Sequence, residues 1–153
     1  MSLRGRFLGF CATALCYGVA VSVATTVTLF LVAVPAVLPD DGRWRSVYDI
    51  LRYWPDNFAF GWMITAFTAF PGFLYVLYLS RKHAWTKAMN FVVAGALNVV
   101  PSLVIFHVFL GAVKFMSPVM LLSCFPGGLA GGHAYWLAAR MLRLYPRGSS
   151  SLA

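Results

Sequence analysis

Four long stretches of this 153-residue chain contain no Asp, Glu, Lys or Arg: Phe7–Leu38, Phe58–Leu79, Ala88–Val113 and Met116–Ala139. A helix needs about 20 predominantly apolar residues to cross the hydrocarbon core of a bilayer, and each stretch is at least that long. Because lipid offers the backbone no hydrogen bonds, a spanning segment must be helical rather than an open strand. The sequence therefore predicts an all-α membrane protein, a bundle of four transmembrane helices.

The overall composition supports this fold class. Only 10% of the residues are charged and 61% are apolar, whereas soluble domains carry about 25% charged residues. A water-soluble fold of this size could not cover its surface with so few charges. We expect one transmembrane domain over residues 1–145 and a short disordered tail over 146–153. The expected spans are about 7–34, 58–79, 88–113 and 118–139.

The charges between the spans predict an orientation. All four acidic residues lie between the first two spans. Eight basic residues and no acidic ones flank the other side: Arg4, Arg6, Arg81, Lys82, Lys87, Arg140, Arg143 and Arg147. The positive-inside rule then places both termini in the cytoplasm. Nine Arg against three Lys favour a GC-rich bacterium, and hence its inner membrane. We assign the net charge of +8 to orientation and to contacts with membrane lipids, not to nucleic acid.

The first outer loop, residues 40–57, is the longest segment between spans. Its apolar residues Trp44, Val47, Tyr48, Leu51 and Trp54 recur at helical spacing. This pattern predicts a short amphipathic helix in the membrane interface, separated from the second span by Pro55-Asp56-Asn57. Such a helix could anchor the loop, or it could form a docking surface or lid.

Two overlapping GxxxG pairs, Gly127/Gly131 and Gly128/Gly132, are the most distinctive motif. Glycines four residues apart create a flat helix face on which another helix packs closely. The packing partner could be a helix of the same chain or a second protein. The motif is not a phosphate-binding loop, because no Lys-Ser/Thr pair follows it.

Three strongly polar side chains inside the expected spans are candidates for function: Asn98, His107 and His133. Intramembrane polar groups are candidates for function, although many only hydrogen-bond a neighbouring helix. His107 and His133 are expected at depths that differ by roughly 13 Å, which disfavours a haem held by both. No catalytic set, cofactor site or metal site is predicted.

Three functions stay open at this point. The leading hypothesis is a non-enzymatic accessory, assembly or regulatory subunit that acts through helix packing in a homo-oligomer or a larger membrane complex. The alternative is an oligomeric channel or facilitator for a small neutral solute, lined by Thr65, Thr68, Asn98 and His133. The third is a membrane enzyme acting on lipid or quinone. It would use His83 or His133 together with Arg81 and Arg140.

Overall fold

The described part of the chain forms four helices that follow one another. The computed structural model describes residues 3–37, 47–110, 118–142 and 144. The helices are α1 (Leu3–Val37), α2 (Val47–Lys82), α3 (Ala88–Leu110) and α4 (Pro118–Met141). The predicted all-α class is therefore confirmed for the described residues. The expected tail, 146–153, lies outside them.

The helices form a ring in which α1 and α3 each pack against both α2 and α4. Neighbouring helices are antiparallel: Gly131 of α4 faces Ala20 of α1, whereas Gly127, one turn earlier in α4, faces Thr28, further along α1. Residues 83–87 connect α2 to α3, and we call this end of the bundle the loop end. The start of α1 and the end of α4 lie at the same end.

Three of these helices contain segments that are long and apolar enough to cross a membrane: Phe7–Leu31, Trp54–Lys82 and Ala88–Val108. Their outward faces are apolar as well, with Leu8, Phe67 and Leu97 each at least 60% exposed. Water would oppose the exposure of so much apolar surface, and hydrocarbon would not. The chain is therefore assigned to a membrane. Helix α4 is not among the three, since its four glycines, Pro126 and His133 dilute its apolar residues.

The start of α2 differs from the sequence-based expectation. The helix begins at Val47 rather than near Phe58, and it continues through Pro55. Pro55 removes one backbone donor, so the carbonyl of residue 51 loses its helical hydrogen bond; Pro55, Asp56 and Asn57 themselves are exposed. Residues 47–57 are thus the first turns of α2, and a separate interfacial helix is not seen there. The remainder of its expected range, 40–46, lies outside the described residues.

The connection between α2 and α3 is tight. Ala84 has a φ of 47°, in the left-handed region that favours glycine. The backbone N–H of His83 donates to Leu79 O, and that of Trp85 donates to Ser80 O, each at 2.9 Å. These bonds satisfy carbonyls at the end of α2 and turn the chain directly into α3.

Candidate functional site

A cavity of about 300 Å³ lies between the four helices. Every helix contributes to its wall, and no Asp, Glu, Lys, Arg or His is among the lining residues of the described chain. Representative lining residues are Ala20 and Val21 of α1, Thr65 and Thr68 of α2, Ala94 and Asn98 of α3, and Cys124 and Tyr135 of α4. The structure thus brings together three residues of the predicted solute pathway, Thr65, Thr68 and Asn98.

Three hydroxyl groups in the wall donate hydrogen bonds to backbone carbonyls. Thr68 Oγ1 donates to Ile64 O at 2.9 Å, within α2. Ser102 Oγ donates to Asn98 O at 2.7 Å, within α3. The Tyr17 hydroxyl crosses from α1 to α2 and donates to Ala66 O at 2.5 Å. These three donors are already used, and most of the remaining lining residues are aliphatic or aromatic, so the cavity presents a mainly apolar surface.

Asn98 links α3 to α2. Its Nδ2 donates to Ala69 O at 3.1 Å. Its Oδ1 is buried and has no hydrogen-bond partner in the described part of the chain. A Cβ on Gly72 would overlap this amide, so a larger residue there would displace the Asn98 side chain. Gly72 of α2 therefore makes room for the Asn98 amide.

The four glycines of α4 lie at helix contacts within this chain. Gly127 and Gly131 face α1, where a Cβ on Gly131 would fall 3.0 Å from both Ala20 O and Ala24 Cβ. Gly128 and Gly132 face α3, where a Cβ on Gly128 would fall 2.6 Å from Gly95 O. The two overlapping pairs thus serve two neighbours at once, and α4 is held closely between α1 and α3.

Sequence reasoning did not identify the surfaces that receive these glycines. Ala20, Ala24 and Thr28 recur every four residues on α1, and Gly95 occupies the facing position on α3. The sequence pattern that could have predicted these surfaces is the spacing of small residues, because small residues four apart mark a helix face that allows close approach.

An aromatic cluster fills the bundle between the cavity and the loop end. Tyr17 stacks on Phe73 with ring centroids 4.3 Å apart, and Phe73 meets the edge of Tyr135 at 5.3 Å. Phe91 lies 5.7 Å from Tyr135 and 5.9 Å from Trp85. The cluster surrounds Cys16 and Ala139, which are fully buried. This dense packing limits the cavity on the side of the loop end.

The histidines are not part of the cavity wall. His107 is partly buried, and its Nδ1 has no hydrogen-bond partner among the described residues. His133 is exposed, with its ring 5.7 Å from that of Trp136. His83 is exposed in the connection between α2 and α3. Within the described ranges, no group of three His, Cys, Asp or Glu side chains could hold a metal ion.

No protein-family model, curated protein or solved structure matches this chain. Its class is therefore defined by its own fold and site. It is a four-helix bundle with three helices able to cross a membrane and a mainly apolar cavity between the helices.

Proposed function

We propose that this chain is a small polytopic membrane protein whose bundle binds a small, neutral, largely apolar molecule. The cavity between the four helices is the observation that carries this proposal. It develops the solute-facilitator hypothesis, because Thr65, Thr68 and Asn98 line the cavity. His133 has no part in the proposed site.

The size and chemistry of the cavity define the ligand class. An engineered apolar cavity of about 150 Å³ stays dry and accepts benzene. The present cavity has about twice that volume, about 300 Å³. A charged ligand would lose its hydration without gaining a counter-ion from the wall, since no side chain of opposite charge lines it. An uncharged molecule that enters from the lipid phase fits these conditions.

The proposal includes four spans, with both termini in the cytoplasm and the protein in a bacterial inner membrane. The eight basic residues on one side support this orientation. The glycine contacts support α4 as the fourth span, because they pack it directly against α1 and α3.

Xenon binding tests the cavity directly, because xenon occupies dry apolar cavities. We expect the full chain in lipid nanodiscs to give a distinct bound ¹²⁹Xe resonance. Ala94→Phe should shift and weaken it, because the ring would take up part of the cavity: Ala94 is 8% exposed and lines the wall. Val93→Phe introduces the same ring on the same helix at a 44% exposed position, and it should leave the signal unchanged.

Ala94→Leu, with a smaller side chain, keeps the test decisive if phenylalanine prevents folding. An unchanged xenon signal in folded Ala94→Phe or Ala94→Leu protein would refute the proposal, as would an equal change in Val93→Phe. Mass spectrometry of solvent extracts from the purified protein then identifies any neutral molecule that co-purifies.

A second candidate is the accessory, assembly or regulatory subunit, and a stripe on α2 favours it. The stripe consists of Phe60, Met63, Phe67, Phe70 and Leu74, all exposed and spaced three or four residues apart. This spacing is that of a helix–helix contact. The α4 glycines pack against helices of the same chain, so they are not the contact surface for a partner. In this second candidate function the α2 stripe is the contact surface, and the partner is a second copy of the chain.

Co-isolation of two differently tagged copies in mild detergent tests the second candidate. Phe67→Ala should reduce recovery of the second copy. Leu97→Ala, an exposed position on α3, should not. A monomeric wild-type chain would contradict this candidate and leave the ligand-binding proposal standing.

A further inference from the structure

The loop end of the bundle carries a concentration of positive charge. Arg81, Lys82, Lys87 and Arg140 are all exposed there. The described part of this end contains no Asp or Glu, since Asp49 and Asp56 lie at the opposite end of α2. The cations therefore have no carboxylate beside them within the described ranges, and their combined field attracts anions.

Aromatic rings accompany two of these cations. Lys82 Nζ lies 5.9 Å from the centre of the Tyr78 ring. Arg140 Cζ lies 5.3 Å from the ring of Trp136, and Trp136 Nε1 donates to Thr86 O at 3.0 Å. Tyrosine and tryptophan prefer the depth of lipid headgroups, so the cations at this end lie where phosphate groups are found.

A shallow groove on α2 joins this charge to an apolar surface. It is lined by Leu74, Leu77, Tyr78, Arg81 and Lys82. Leu74 and Arg81 are seven residues, or about 10 Å, apart along the helix. Leu74 and Tyr78 are 49% and 59% exposed, so the apolar half of the groove is open to an acyl chain. The groove thus has the amphipathic pattern of a phospholipid.

We propose that this groove binds one anionic phospholipid, with the phosphate between Arg81 and Lys82 and an acyl chain along Leu74 and Leu77. Guanidinium and ammonium groups both donate hydrogen bonds to phosphate oxygens. The apolar half favours a lipid over free phosphate, which would use only the basic half. The groove lies on the outside of α2, so this site does not depend on the cavity or its ligand.

Native mass spectrometry of the full chain tests the site, with phosphatidylglycerol as the anionic probe and phosphatidylcholine as the zwitterionic one. We expect preferential retention of phosphatidylglycerol. Arg81→Gln and Lys82→Gln should each weaken its binding about fivefold, the effect expected for loss of one cation at a membrane surface. Arg81→Lys should retain most of the binding because it keeps the charge.

Lys87→Gln is the matched control, since it removes one exposed cation from the same end but outside the groove. It should bind phosphatidylglycerol like the unmodified chain. An equal loss in Lys87→Gln would show a general field effect and overturn the site. Equal retention of phosphatidylcholine, or displacement of the lipid by excess inorganic phosphate, would also overturn it.

Discussion

The contact between α3 and α4 gives a quantitative prediction for Gly128→Ala. A Cβ on Gly128 would fall 2.6 Å from both Gly95 O and Val99 Cγ2, whereas ordinary contact begins near 3.4 Å. The helices must therefore separate locally by roughly 0.8 Å, and a gap of this size forfeits a quarter to a half of the dispersion energy across it. Overpacking of this kind typically costs about 1–3 kcal/mol.

The expected loss of stability in Gly128→Ala can be compared with two other substitutions, Gly18→Ala and Gly131→Ala. Alanine is favoured over glycine in a helix by about 0.5–1 kcal/mol, so at the midpoints of the two ranges the net loss expected for Gly128→Ala is about 1 kcal/mol. Gly18→Ala is the matched control, because a Cβ there meets nothing within 4 Å. It should not destabilise the chain. Gly131→Ala, whose Cβ contacts are 3.0 Å, should fall between the two.

The free energy of unfolding can be measured by titrating the protein in mixed micelles with SDS and following helix content by circular dichroism. We expect Gly18→Ala to be the most stable of the three variants, Gly131→Ala to be intermediate and Gly128→Ala to be the least stable. The packing argument fails if Gly128→Ala lies within about 0.5 kcal/mol of the unmodified chain, which is the usual range for a surface substitution. It also fails if Gly18→Ala causes an equal loss.

Three more predictions follow from single features. Tyr17→Phe keeps the aromatic stack but loses the hydrogen bond to Ala66 O. The free energy of unfolding in the same assay should fall by about 0.6 kcal/mol, and a fall of more than about 2 kcal/mol would contradict this. Ala84→Gly relieves the left-handed φ of 47°; we expect a gain of about 0.5–1 kcal/mol, measured as a higher melting temperature, whereas a loss would contradict the strain. Reporter fusions at Trp44 and at the carboxyl terminus should report opposite sides of the membrane, and a shared compartment would refute the orientation.

The sequence predicted several residues of the candidate site but not how they are arranged in space. Asn98 could be singled out because strongly polar side chains are rare in apolar helices, and Thr65 and Thr68 are predicted to lie with it along a solute pathway. That they line one cavity depends on the rotation of α2 and α3 about their axes, which no local pattern specifies. The same applies to Gly72, whose role opposite Asn98 is visible only when the two helices are placed together.

The sequence by itself determined that the chain is all-α and has apolar helices long enough to cross a membrane. This follows from local physics, because hydrocarbon leaves the backbone no alternative to internal hydrogen bonding. Only the tertiary structure decided that the α4 glycines face α1 and α3, that α2 continues through Pro55, and that all four helices line one cavity. These features depend on how side chains from distant parts of the chain fit together, and the shape of a contact is not encoded in either helix alone.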